Sequence, residues 1–151
     1  MQLLIFKIGD ISYGVNIESI QSVEQNYSLV TIPNTAPEVV GIIHLREKIL
    51  AVYSLSKRFG VAESEAEHQL IIVAEGSLNL ALEVEEVVGM MTVPEEELIP
   101  MPQMVCQSEE FSDQVAKDTE GLIILLNINH LITMEETKAI EKAMKAEEYH
   151  Q

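Results

Sequence analysis

Residues 3–23 of this chain can be laid on residues 70–90 at an offset of 67, without a gap, and apolar residues then meet apolar residues throughout. Leu3, Leu4, Ile5 and Phe6 fall on Leu70, Ile71, Ile72 and Val73. Ile11, Tyr13, Val15, Ile17, Ile20 and Val23 fall on Leu78, Leu80, Leu82, Val84, Val87 and Met90. Gly9 falls on Gly76, and Ile32-Pro33 falls on Ile99-Pro100. Ile49–Phe59 falls on Leu122–Ile132 at an offset of 73, so the second copy carries six extra residues within the polar stretch Gln103–Glu120. Chains of short strands use few residue types, so weak self-similarity arises by chance. The matching glycines and Ile-Pro pairs argue instead for one unit present twice. The chain reads as two similar lobes of about five strands each, and a groove between two packed lobes is a common place for binding.

The local pattern is all-β, short strands with turn punctuation. Leu3–Ile8 and Ile11–Val15 flank Gly9-Asp10, a pair suited to a tight hairpin. Ile17, Ile20 and Val23 fit a short helical turn or two, and Leu29–Ile32 reads as a strand ending at Pro33. Val39–Leu45 and Ile49–Tyr53 read as strands around Arg46-Glu47-Lys48, followed by a short helix Ser54–Phe59 stopped by Gly60. Val61–Gln69 is an acidic linker, and Leu70–Ala74 with Leu78–Val84 forms a second hairpin. Met90–Val93 reads as a strand, Gln103–Glu120 carries few structure signals, and the apolar run Leu122–Leu126 reads as a strand buried on both faces. Thr133 with Glu136 makes a capping box for a C-terminal helix over 133–149, whose narrow apolar stripe (Ile140, Ala143, Met144) packs loosely or protrudes.

Bulk properties exclude several classes. A formal net charge of −16 repels phosphate backbones and anionic lipid, which sets aside nucleic acid and direct membrane insertion and suits a basic partner or plain solubility. The single cysteine, Cys106, cannot form an internal disulfide and fits a reducing, cytoplasmic setting. The first residues lack the basic start and small-residue cleavage site of a signal peptide, and no apolar run approaches the roughly 20 residues that span a bilayer.

No catalytic set, cofactor motif or metal-ligand spacing is legible. His44, His68, His130 and His150 are not paired with one another or with Cys106 at ligand spacing. Glu95-Glu96-Glu97 and Glu83, Glu85 and Glu86 lack the alternating ligands of a calcium loop and read as solvated acidic faces. The expectation is a binding module, with no cofactor.

Pro33-Asn34-Thr35-Ala36-Pro37-Glu38-Val39-Val40-Gly41-Ile42-Ile43-His44-Leu45-Arg46, followed by Ile49-Leu50-Ala51-Val52-Tyr53-Ser54-Leu55, resembles the signature stretch of the CheW family. Gly9-Asp10 through Val15, Val84-Glu85-Glu86-Val87 and Leu122–Ile128 resemble its first hairpin, its Val-Asp-x-Val and its last strand. The resemblance runs from Leu3 to about Ile132 and implies one CheW-like domain of two intertwined five-stranded SH3-like β-barrels with short helices and a C-terminal helix. The first lobe would lie mainly in 10–60 and the second mainly in 70–132, with edge strands exchanged. It implies a non-enzymatic adaptor joining the cytoplasmic hairpin tip of a chemoreceptor to the regulatory domain of the histidine kinase CheA, recruited from the cytoplasm to membrane receptor arrays, as a monomer or with weak self-association. Four positions depart from the family pattern: His44 for Asn, Glu47 for Gly, Glu85 for Asp and Gln114 for Gly.

Carried over by position, the receptor groove involves Ile20, Val23, Gly41, Arg46, Val87 and Met90. Read from the residues alone, Ile20, Val23, Val87 and Met90 are either groove or plain core, and Arg46 either clamps a partner carboxylate or ties the lobes together. The kinase face is expected at an exposed edge of the first barrel near Lys48, Leu50 and Val52, through apolar contact. Rival readings are an adaptor of a type IV pilus or other chemosensory pathway, an enzyme built on paired acidic residues, and a barrel that only self-associates.

Overall fold

The computed structural model describes residues 1–33, 36–62, 67–75, 78–100, 114–118 and 121–131. The capping box at Thr133, the helix over 133–149 and Cys106 lie outside these residues. Eleven strands are described: β1 (Gln2–Ile8), β2 (Ile11–Asn16), β3 (Ile20–Glu24), β4 (Val39–Leu45), β5 (Lys48–Ser54), β6 (Gln69–Glu75), β7 (Leu78–Val84), β8 (Glu86–Thr92), β9 (Ile99–Pro100), β10 (Gln114–Asp118) and β11 (Gly121–Leu125). Two one-turn helices follow β5 and β11, α1 (Leu55–Arg58) and α2 (Ile128–Leu131). Ser54 caps α1 by accepting a hydrogen bond from the Lys57 amide, and Gly60 at φ 70° ends it.

The strands form two sheets, β8-β1-β2-β11-β10-β9 and β3-β6-β7-β5-β4. Each sheet is built around one hairpin of the repeat and completed by strands from the other copy. Exchanging β1β2 for β6β7, β3 for β8, and β4β5 for β10β11 turns one strand order into the other, with β9 as an addition. The pairing register follows the same exchange. Leu4 faces Met90 in one sheet and Ile71 faces Val23 in the other; Ile124 faces Tyr13 and Ala51 faces Leu80 across the two parallel pairs. Even the β-bulges correspond, at Ile5/Phe6 and at Ile20/Ser22.

Alternation explains why these strands read as continuous apolar runs. Leu3 and Ile5 point into a core of their own sheet with Val93, Ala116, Ile123 and Leu125. Leu70 and Ile72 do the same in the other sheet with Ile43, Leu50, Val52 and Ala81. The intervening Leu4, Phe6, Ile8, Ile71 and Val73 meet between the sheets in the main core, so both strand faces are buried. Phe6, Tyr13 and Phe59 stack there, with ring centroids 5.8 and 4.9 Å apart.

Four expectations are corrected. Ile20 and Val23 lie on strand β3; only Ile17–Ser19 forms a helical turn, because pairing with β6 takes the residues after it. Leu29–Ile32 contributes a single bridge, Val30 to Ile42. Gln114–Asp118, within the stretch that carries few structure signals, is β10, held by β11 and β9. Leu122 is 56% exposed, so the last strand is not buried on both faces along its whole length.

Candidate functional site

β3 and β8 are repeat-related and, among the described residues, stand at unpaired edges, one in each sheet. Ile20, Val23 and Val87 are half-buried and pack against the main core, so they are at once core and surface. Met90 is 60% exposed and the neighbouring Val88, two residues before it on the same face of β8, is 55% exposed. Such an apolar, unpaired edge is a surface available to a partner.

Where β3 leaves its sheet and β8 enters the other, a cavity of about 810 Å³ opens. Its lining includes Lys7, Tyr27, His68, Gln69, Glu85 and Glu86. Two hydrogen bonds frame it: the Val87 amide donates to Gln69 Oε1 at 2.6 Å, joining the sheets, and the Gly9 amide donates to Glu85 Oε2 at 2.9 Å. The Tyr27 hydroxyl donates to Glu83 Oε2 at 2.8 Å, and burial together with that carboxylate holds the phenol well above its usual range. None of the six residues expected in the groove lines this cavity. Of those that do, the sequence singles out Gly9 as a hairpin glycine, Glu85 and Glu86 as part of a solvated acidic face and a family-like motif, and His68 only as a histidine without a ligand-spaced partner. Tyr27 and Gln69 carry no sequence signal, since only the crossing of the two halves brings them together.

Arg46 sits in the β4–β5 turn, its side chain 81% exposed and its Nη2 3.7 Å from Glu24 Oε1. Glu24 ends β3 and Arg46 follows β4, the two edges of one sheet, so this ion pair closes that sheet and does not tie the sheets together. It lies one residue from Gln25 of the cavity lining. Most of the guanidinium remains available to a partner, and so exposed a pair adds little stability. Gly41 is buried in β4, where a Cβ would stand 2.4 Å from the Val30 carbonyl oxygen, so its place is under the Val30 bridge and not at an open surface.

Lys48, Leu50 and Val52, expected together at an exposed edge as a kinase face, do not share one. β5 lies between β7 and β4, so the edge of this sheet is β4. Val52 is fully buried and Leu50 nearly so, both in the inner core of their sheet, and Lys48 alone of the three is exposed. Strand order differs from sequence order here, and that is what a reading of the chain alone misjudges. Among the described residues, no helix is long and apolar enough to cross a membrane.

A family model described as the CheW-like domain matches residues 2–136. The chain is 24% identical to the chemotaxis protein CheW of Bacillus subtilis, over 91% of this chain and 90% of that protein. It is 26% identical to the probable chemotaxis protein CheW of Rhizobium etli, over 91% of each. The crystal structure of the scaffolding protein TtCheW from Thermoanaerobacter tengcongensis superposes with a TM-score of 0.81 at 27% identity, covering 89% of this chain and 94% of that one.

Proposed function

We propose, from the premise that this chain belongs to the CheW-like family, that it is a non-enzymatic adaptor coupling chemoreceptors to the histidine kinase CheA. The observation that carries this reading is the pair of repeat-related free edges, β3 and β8, flanking a cavity between the two sheets. An elongated partner such as the receptor's helical hairpin tip fits a groove of that kind, with Ile20, Val23, Val87 and Met90 as apolar contacts and Arg46 as a charged one. Gly41 contributes indirectly, by letting the segment at Val30 lie across β4. The CheA regulatory domain would dock on the same five-stranded sheet beside the receptor contacts, near exposed Lys48, which follows the β4–β5 turn. Leu50 and Val52 would support that hairpin from within.

No turnover is involved. The adaptor raises the effective concentration of kinase at receptors, and receptor state reaches the kinase through shape-dependent contacts, so modest affinities suffice in an array. It works in the cytoplasm, recruited to receptor arrays at the membrane.

The test is a titration of the labelled chain with a receptor-tip fragment and, separately, with a CheA regulatory domain, both repeated with Arg46→Glu. Saturable binding to both, with the receptor arm weakened in the variant and the kinase arm kept, is the expected result. Binding to neither partner from the same organism would reject the adaptor reading.

A further inference from the structure

The β4–β5 hairpin turns on two residues that both carry side chains at positive φ, Arg46 at 53° and Glu47 at 82°. These angles are those of a type I′ turn, in which Asn and Gly are the usual central residues because other side chains crowd the backbone. Glutamate in the second central position is therefore a strained choice. Among the described residues nothing offsets it. Glu47 is exposed, and among the described residues its side chain makes no hydrogen bond or ion pair. The neighbouring guanidinium reaches a different carboxylate, Glu24. The turn itself is well held, with Leu45 facing Lys48 and Ile43 and Leu50 anchoring the hairpin in a buried core. A rigid hairpin thus presents a strained, uncompensated charge outward, beside the exposed Arg46. Strain kept without an internal return points to a use outside the fold.

We propose that Glu47 is a specificity-determining contact whose carboxylate receives a cationic side chain of the receptor tip that reaches Arg46 at this turn. Arg46 and Glu47 then present opposite charges side by side, and the matching surface carries an acidic and a basic group in the reverse order. A partner lacking the basic group leaves Glu47 unpaired against its surface and is discriminated against. The inference rests on the adaptor reading and adds to it the charge pattern of the receptor tip this chain selects.

The test compares wild type, Glu47→Gly, Glu47→Gln and Glu47→Lys in thermal melts and in titrations with a chemoreceptor cytoplasmic-tip fragment from the same organism, at low and high salt. Glu47→Gly should melt higher than wild type yet bind about two- to five-fold more weakly at low salt. Glu47→Gln should weaken binding similarly without relieving the turn, Glu47→Lys should weaken it about ten-fold, and all the differences should shrink at high salt. Glu47→Gly binding as tightly as wild type, or a loss that ignores salt, overturns the inference while leaving the adaptor reading in place. A wild-type chain that binds no receptor tip removes both.

Discussion

A methyl group added at Gly41 would stand 2.4 Å from the backbone oxygen of Val30 and 3.0 Å from Leu29 Cδ1. The first contact is with backbone, which cannot swing aside as a side-chain tip can. Val30 and Ile42 exchange two hydrogen bonds, of 2.9 and 2.8 Å, and Gly41→Ala must push them apart. We expect a loss of about 2–3 kcal/mol, seen as a lower denaturation midpoint and faster hydrogen exchange at the Val30 and Ile42 amides. Gly89→Ala, where a Cβ meets nothing within 4 Å, should keep those amides protected. Unchanged exchange in Gly41→Ala would show that the bridge does not depend on the missing side chain. Glu47→Gly should move stability the other way, by about 1 kcal/mol, or roughly 2–4 °C in melting temperature for a chain of this size. At this scale the sequence was informative about identity and poor about placement. Gly41 and Arg46 stand in a recognisable motif, but a glycine needed beneath a crossing segment looks the same in one dimension as a glycine lining a groove.

Between single residues and the whole chain, the connections decide what the edges can do. The segment after β3 is held to β7 by the Tyr27 hydroxyl, which donates to the buried carboxylate of Glu83. Tyr27→Phe removes that donor and should cost about 1–3 kcal/mol. It should also change the alkaline limb of stability. The Tyr27 phenol is raised in the folded chain by burial and by Glu83, and burial raises Tyr13 as well. Unfolded tyrosines ionise near pH 10, so above that value the unfolded state loses protons that the folded state keeps, and stability falls as pH rises. Below about pH 10 this contribution is fully present. Tyr27→Phe should therefore show a shallower decline of stability with pH above 10, with Tyr13 supplying what remains, and an unchanged slope in urea titrations at stepped pH would refute the coupling. The elements themselves were legible where turn chemistry punctuates them, as at Gly9-Asp10 and at Ser54 with Gly60. They were not legible where pairing overrides pattern. β10 buries Val115 and Ala116, two neighbours rather than an alternating set, and draws its strand form from β11, while Ile20 and Val23, three apart, mimic helical spacing on a strand.

The two halves of the chain complete each other's sheets, and that sets how the molecule must fold. The hairpin β1β2 finds its neighbours in β8 and β11, and the hairpin β6β7 finds its neighbours in β3 and β5. A half taken alone keeps its hairpins but loses the strands on either side of one of them, along with the opposing wall of the main core. The parallel pairs β2–β11 and β5–β7 each join a strand of the first half to a strand of the second, so they cannot form within one half. The duplicated pattern in the sequence disclosed that there are two related units; it could not disclose that they are interlaced, because side-chain alternation is the same whether a strand pairs within its own copy or with the other. Interlacing has a measurable consequence. Residues 1–62 and 67–151, made as separate chains, should each lack a cooperative unfolding transition, and mixing them should restore one together with the β-sheet circular dichroism of the intact chain. The intact chain should unfold in a single transition by circular dichroism and calorimetry alike. A fragment that melts cooperatively by itself would mean that one half holds a self-sufficient barrel, and the groove between the sheets would then be a joint between independent lobes. Recovery only on mixing would mean that the groove walls, the edges β3 and β8, and the turn at Arg46 and Glu47 are positioned by one cooperative unit, so that a partner seated on them meets a preformed surface.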